Sequence, residues 1–177
     1  GTAVAVAVFW LLGTAGHPLR LLDSPLAPTS DFYDIQARSL LHGHLAVPAG
    51  SLVNEEFVTQ HGSHMYFGLF PVVLRLPILL LDARLAGRLT LVSCLAAIVL
   101  MSQSAVRLFE HARLEFADAS RREAIASPAR YLAVAAIPVL CSPVLFLASR
   151  SNVYNEAIMW GVAATTWGLT AILQWWH

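Results

Sequence analysis

Apolar runs alternate with polar segments along the chain. The runs predict four spans, at about 2–16, 85–106, 131–149 and 152–174. The first covers roughly 22 Å at 1.5 Å per residue, short of the ~30 Å hydrocarbon core, which fits a span whose start is missing. Trp175 and Trp176 close the fourth as an interface belt. A fifth apolar stretch, 65–81, carries Arg75 at its middle and Pro71 and Pro77 around it. A central Arg costs about 2.5–3.5 kcal/mol on the insertion scale, so this stretch reads as an interfacial helix.

Between the first two spans lies a long polar loop, 17–84. After Pro18, Pro25 and Pro28 it predicts a helix from Ser30 to Gly43, with Ser30 as N-cap, Asp31 and Asp34 in the first turn and Gly43 at the C-terminal cap. By i+3/i+4 spacing Asp31, Asp34, Arg38 and His42 share one face. Phe32 and Leu40 lie elsewhere on it, the pattern of an amphipathic helix at a membrane surface. Residues 54–67 predict a short hairpin turning at His61-Gly62.

Composition strengthens the membrane reading. The 177 residues are 57% hydrophobic and 12% charged, against about 25% charged in soluble domains. The mean hydropathy is +0.63. The fold class is therefore all-α and polytopic: one membrane domain, 1–177, truncated at both ends. Zero net charge gives nucleic acid no support as a partner. Cys94 and Cys141 sit inside apolar runs, as small helix residues do. The connection 107–130 holds five of the eleven arginines, so the positive-inside rule makes it cytoplasmic and places 17–84 outside. The turn after the third span is then also outside. That puts Arg150, Asn152, Tyr154, Asn155 and Glu156 on the side of Asp31 and Asp34. Glu156 is either a functional ionisable group or a dipole-stabilising residue at the start of the fourth helix.

Candidate chemistry gathers in the outer loop. Asp31 and Asp34 could take a proton from a hydroxyl or hold a divalent cation against a phosphate, or could serve only as helix-capping and Arg38-pairing groups. His42, His44, His61 and His64 could form a metal-binding module, although their spacing matches no structural zinc site. Arg38, Arg75 and Arg150 suit a phosphate, or snorkel towards headgroups. Walker, dinucleotide, Gly-x-Ser-x-Gly and His-Glu-x-x-His motifs are absent.

The sequence Asp31, Tyr33, Ala37, Leu40-Leu41, Gly43 after a first span, followed by Gly62, Tyr66-Phe67, Pro71 and the 72–81 run, resembles the GT-C superfamily of membrane glycosyltransferases. Arg88 before a span and the Tyr154-x-Glu156 step also fit. The Phe32-to-Ala37 block is similar to one in bacterial membrane proteins. The resemblance implies transfer of a sugar from a polyprenyl-phosphate carrier to an extracytoplasmic acceptor in a bacterial plasma membrane. Its partners would be a lipid-linked sugar donor and membrane lipids, with a divalent cation as an open question. Asp31 or Asp34 would be the catalytic base. Arg38, His42, His44, His64, Tyr66, Tyr154 and Glu156 would bind substrate. The family's acidic residue often stands four positions before the Tyr, here Thr29, so the choice between the two aspartates stays open. The competing expectations are a non-catalytic polytopic protein or transporter part, and the histidine-based metal module.

Overall fold

The computed structural model describes residues 2–20, 22, 31–117, 127–140, 143–149 and 152–176. It is mostly helical. In chain order come α1 (Thr2–Gly13), α2 (Phe32–Leu41), β1 (Glu56–Thr59), β2 (Gly62–Met65), α3 (Phe70–Leu81), α4 (Thr90–Phe116), α5 (Pro128–Leu140), α6 (Val144–Ser149) and α7 (Val153–Trp176), with short 3-10 turns at Pro18–Arg20 and Ala83–Leu85. Two helices, α4 and α7, are long and apolar enough to cross a membrane by length and composition.

The spans differ from the sequence expectation in three places. The run 131–149 is two helices, α5 and α6, and each is shorter than a span. Helix α4 begins at Thr90, after the three-residue 3-10 turn Ala83–Leu85, and it continues to Phe116, so the first ten positions of the expected cytoplasmic loop are helix. Helix α1 is only 12 residues long. The rest of the expected arginine-rich connection, with Arg121 and Arg122, lies outside the described residues, as do Ser30, Cys141 and Arg150.

Two apolar clusters hold the fold. One joins α1, α4, α6 and α7 through Phe9, Ile98, Val144 and Met159. Gly13 lets α1 approach α4: a Cβ there would stand 2.5 Å from Leu91 Cδ1. Ser104 on α4 and Thr170 on α7 share a buried hydrogen bond of 3.0 Å, a polar tie within this apolar interface. The second cluster packs α2, α3 and the hairpin onto the N-terminal ends of α4 and α7, through Phe32, Tyr33, Leu52, Val72, Leu89 and Val153.

Helix α2 ends as its sequence predicts. Gly43 has φ +78°, its N–H donates to Leu40 O and the His44 N–H donates to Ser39 O, a Schellman close. At the other end Asp31 occupies the N-cap position, and its side chain makes no capping hydrogen bond. The hairpin forms with one shift. Thr59 pairs with Gly62, so the two turn residues are Gln60 and His61. The Thr59 hydroxyl accepts from the His61 N–H and donates to Gly62 O. This two-stranded sheet, extended by an antiparallel bridge from Val47 to Ser63, departs from the all-helical expectation.

Helix α3 is amphipathic in an unusual sense. Its inner side carries Arg75, 1% exposed, while Leu80 and Leu81 on the outside are 71% and 90% exposed. Pro71 sits in its first turn, where a missing N–H costs nothing.

Candidate functional site

A buried ionic cluster ties four helices together. Arg75 projects from α3 and uses all five of its N–H donors. Nε donates to Asp34 Oδ1 of α2 at 3.1 Å. Nη1 donates to Glu156 Oε1 of α7 at 2.7 Å and to Pro71 O at 3.0 Å. Nη2 donates to Glu156 Oε2 at 2.8 Å and to Thr90 Oγ1 of α4 at 3.3 Å. The guanidinium carbon lies 5.3 Å from the Tyr33 ring centroid, a cation–π contact. Glu156 is fully buried and Asp34 is 1% exposed. Ser93 donates to Glu156 Oε1, and the Trp160 indole N–H donates to Ser93 Oγ at 2.8 Å.

This arrangement decides the role of Glu156. The start of α7 is already capped, because Asn152 Oδ1 accepts from the Asn155 N–H at 2.9 Å. Glu156 instead makes a two-pronged pair with Arg75, the geometry a planar guanidinium favours. It also explains how a central Arg is accommodated in an apolar helix: the guanidinium neither reaches the headgroups nor stands open to a phosphate, but is held by the carboxyl groups of Glu156 and Asp34.

Asp34 is held differently. Only Oδ1 has Arg75 as a partner, and Oδ2 is buried with no hydrogen bond of normal geometry; the Tyr33 hydroxyl is buried in the same condition. Burial pushes the Asp34 carboxyl up to about 6, with the Glu156 charge adding to the rise, while Arg75 and the nearby Gly87 backbone N–H oppose it. Burial also pushes the Tyr33 hydroxyl up. The shared polar face expected for α2 is therefore split. Asp34 turns into the protein, whereas Arg38 and His42 stay exposed and Asp31 is half-buried.

Arg38, His42 and His44 line one groove of about 810 Å³ with Ser39, Ala46, Pro48 and Ser51. Asp31 is not among its lining residues; it sits near Gly87 at the opposite end of α2, roughly 10 Å from Arg38 along the helix axis. His64 is half-buried on β2 opposite Phe57. Among the described residues no three His, Cys, Asp or Glu side chains come together to hold a metal ion.

Tyr66 and Tyr154 meet at a residue with no distinctive sequence signal. Glu55, in the loop before β1, accepts a hydrogen bond from the Tyr66 hydroxyl and is bonded by Tyr154. Those bonds, Tyr154 first, hold its carboxyl below the usual carboxylate range. The Phe67 ring lies 4.3 Å from Tyr66 and 5.1 Å from Tyr154, centroid to centroid, which links the hairpin to α7.

Sequence reasoning also passed over Thr90, Ser93 and Trp160. Ser and Thr in an apolar helix carry no signal of their own. Arg75 did: one arginine inside an apolar run needs a buried counter-charge from elsewhere in the chain.

No family model, curated protein or solved structure matches the chain.

Proposed function

We propose that this chain is part of a membrane glycosyltransferase that moves a sugar from a polyprenyl-phosphate carrier to an extracytoplasmic acceptor, with Asp31 as the base. The observation that carries this reading is the division of labour between the two aspartates. Arg75 and burial occupy Asp34, whereas Asp31 is half-buried and makes no capping bond at the end of a helix anchored to α3 and α7. A carboxylate on a rigidly held helix can accept a hydroxyl proton at a repeatable position. The groove with Arg38, His42 and His44 offers three nitrogen donors to a phosphate. The exposed apolar faces of α3 and α7, including Ile158, Leu169, Ile172 and Trp175, suit a lipid environment in a plasma membrane.

One observation favours the second reading, a non-catalytic membrane scaffold. Two of the polar groups the resemblance would use, Asp34 and Glu156, are consumed by Arg75.

The test is Asp31→Asn in the full-length protein, reconstituted with a polyprenyl-phosphate sugar and assayed for transfer. Loss of transfer with normal membrane insertion and an unchanged melting temperature supports catalysis. Full transfer by the variant removes Asp31 as the base, and no transfer by the wild-type protein assigns the chain to the scaffold reading.

A further inference from the structure

The buried cluster has more negative than positive charge to place. Arg75 is permanently protonated and its five donors are all in use. Two carboxylates face it, and all three side chains are sealed from solvent. With both carboxylates ionised the cluster would carry one uncompensated charge, at a cost of several kcal/mol in a low-dielectric interior.

The two carboxylates are not equivalent. Both Glu156 oxygens accept from Arg75, and Oε1 accepts from Ser93 as well. Asp34 has one oxygen on Arg75 and one, Oδ2, with no hydrogen bond of normal geometry, the Gly87 backbone N–H lying nearby. A neutral hydroxyl without a partner costs far less than a charged oxygen without one. The other groups around the cluster do not supply a second cation: Tyr33 on α2 is neutral, Thr90 beside Arg75 and Ser93 beside Glu156 are hydroxyls, Cys94 on α4 is a thiol near Arg75 and Tyr33, and Gly87 presents a backbone N–H to Asp34.

We infer that Asp34 Oδ2 is a proton-binding site, occupied in the closed cluster, and that losing this proton loosens α2 from α3 and α7. The step is a simple acid dissociation. The Oδ2–H bond breaks, its electron pair stays on Asp34, and the proton goes to water as the helix contact opens. This inference does not depend on the glycosyltransferase reading, because it concerns only how α2 is docked.

The experiment uses the whole chain in lipid nanodiscs, with aspartate carboxyls labelled with carbon-13, so that infrared difference spectra separate Asp from Glu without a substitution. A protonated aspartate band that persists well above the usual carboxylate range is expected, and Asp34→Asn should remove it. In parallel, amides of α2 should exchange about tenfold or more faster above the band's midpoint than below it, after correction for intrinsic exchange, since one pKa unit corresponds to a factor of ten. The Asn variant should show no such step. If every aspartate band titrates at the ordinary carboxylate pH, or if α2 protection is flat across the midpoint, the inference is overturned. Should the Asn variant fail to fold, the labelled wild-type spectrum and its exchange profile decide the matter alone.

Discussion

Arg75 and Glu156, 81 positions apart in the sequence, meet in the interior through two hydrogen bonds of 2.7 and 2.8 Å. The pair fastens α3 to α7, and through Nε it brings α2 along. Removing one partner leaves a buried charge with no adequate counterion. Glu156→Ala is expected to cost about 3–5 kcal/mol of unfolding free energy, measured by denaturant titration in detergent. The double variant Arg75→Met, Glu156→Leu should cost less than either Arg75→Met or Glu156→Ala alone. Additive losses would mean that the two side chains act separately.

Arg75→Lys tests the geometry rather than the charge. An ammonium has three donors at a single point and cannot serve Asp34, Glu156, Pro71 and Thr90 together. The variant should lose on the order of 2 kcal/mol, with two or more bonds to charged or buried acceptors unmade. A melting temperature equal to that of the wild type would show that the fork is dispensable.

Stability should depend on pH in a defined direction. The folded Asp34 carboxyl titrates at about 6, above the roughly 3.9 of an unfolded aspartate. Between these values the folded state binds more protons, so its stability is greatest below about 4 and falls as pH rises through about 6. The total change is about 3 kcal/mol. Unfolding midpoints collected across this window should fall for the wild type and stay level for Asp34→Asn. A midpoint that rises with pH in the wild type, and does so less in the variant, would reverse the assignment.

The approach of α1 to α4 is limited at Gly13. Its Cβ position is 2.5 Å from a terminal methyl of Leu91, which is 6% exposed. Gly13→Ala should therefore cost about 1–3 kcal/mol by overpacking, and Leu91→Ala in the same chain should recover part of it. The measurement is a set of thermal melts of the two single variants and the double one. A Gly13→Ala chain more stable than the wild type would mean that Leu91 has room to turn away.

Glu55 reports on the contact between the hairpin and α7. Its carboxyl lies below the usual range because Tyr154 and Tyr66 bond to it. Tyr154→Phe should return it upward by more than Tyr66→Phe does, as read from carboxyl chemical shifts across a pH titration. Equal pH profiles in all three chains would separate Glu55 from the tyrosines.

Local signals carried much of the fold. Gly43 ends α2 because a left-handed residue is needed there and glycine accepts it without strain. The turn signal at His61-Gly62 gave a hairpin, displaced by one residue at its tip. Apolar content was enough to mark α4 and α7. It was not enough to keep 131–149 as one helix: Pro143 stands between α5 and α6, and a proline N-terminal to a new helix starts it more readily than it continues the old one. The candidate site was half-legible. Periodicity put Asp34, Arg38 and His42 on one side of α2, and that grouping is a property of the chain. Which of them faces water is not, because helical spacing sets only relative angles. The sequence by itself determined where the helices form, where α2 stops and that an arginine would have to be accommodated inside an apolar helix. Only the tertiary structure decided that Glu156 would face its charge and that Asp34 would accept one of its hydrogen bonds. Asp34 and Glu156 lie 41 and 81 positions from Arg75, and no local pattern specifies which distant carboxyl groups packing will bring within hydrogen-bond distance of a buried guanidinium.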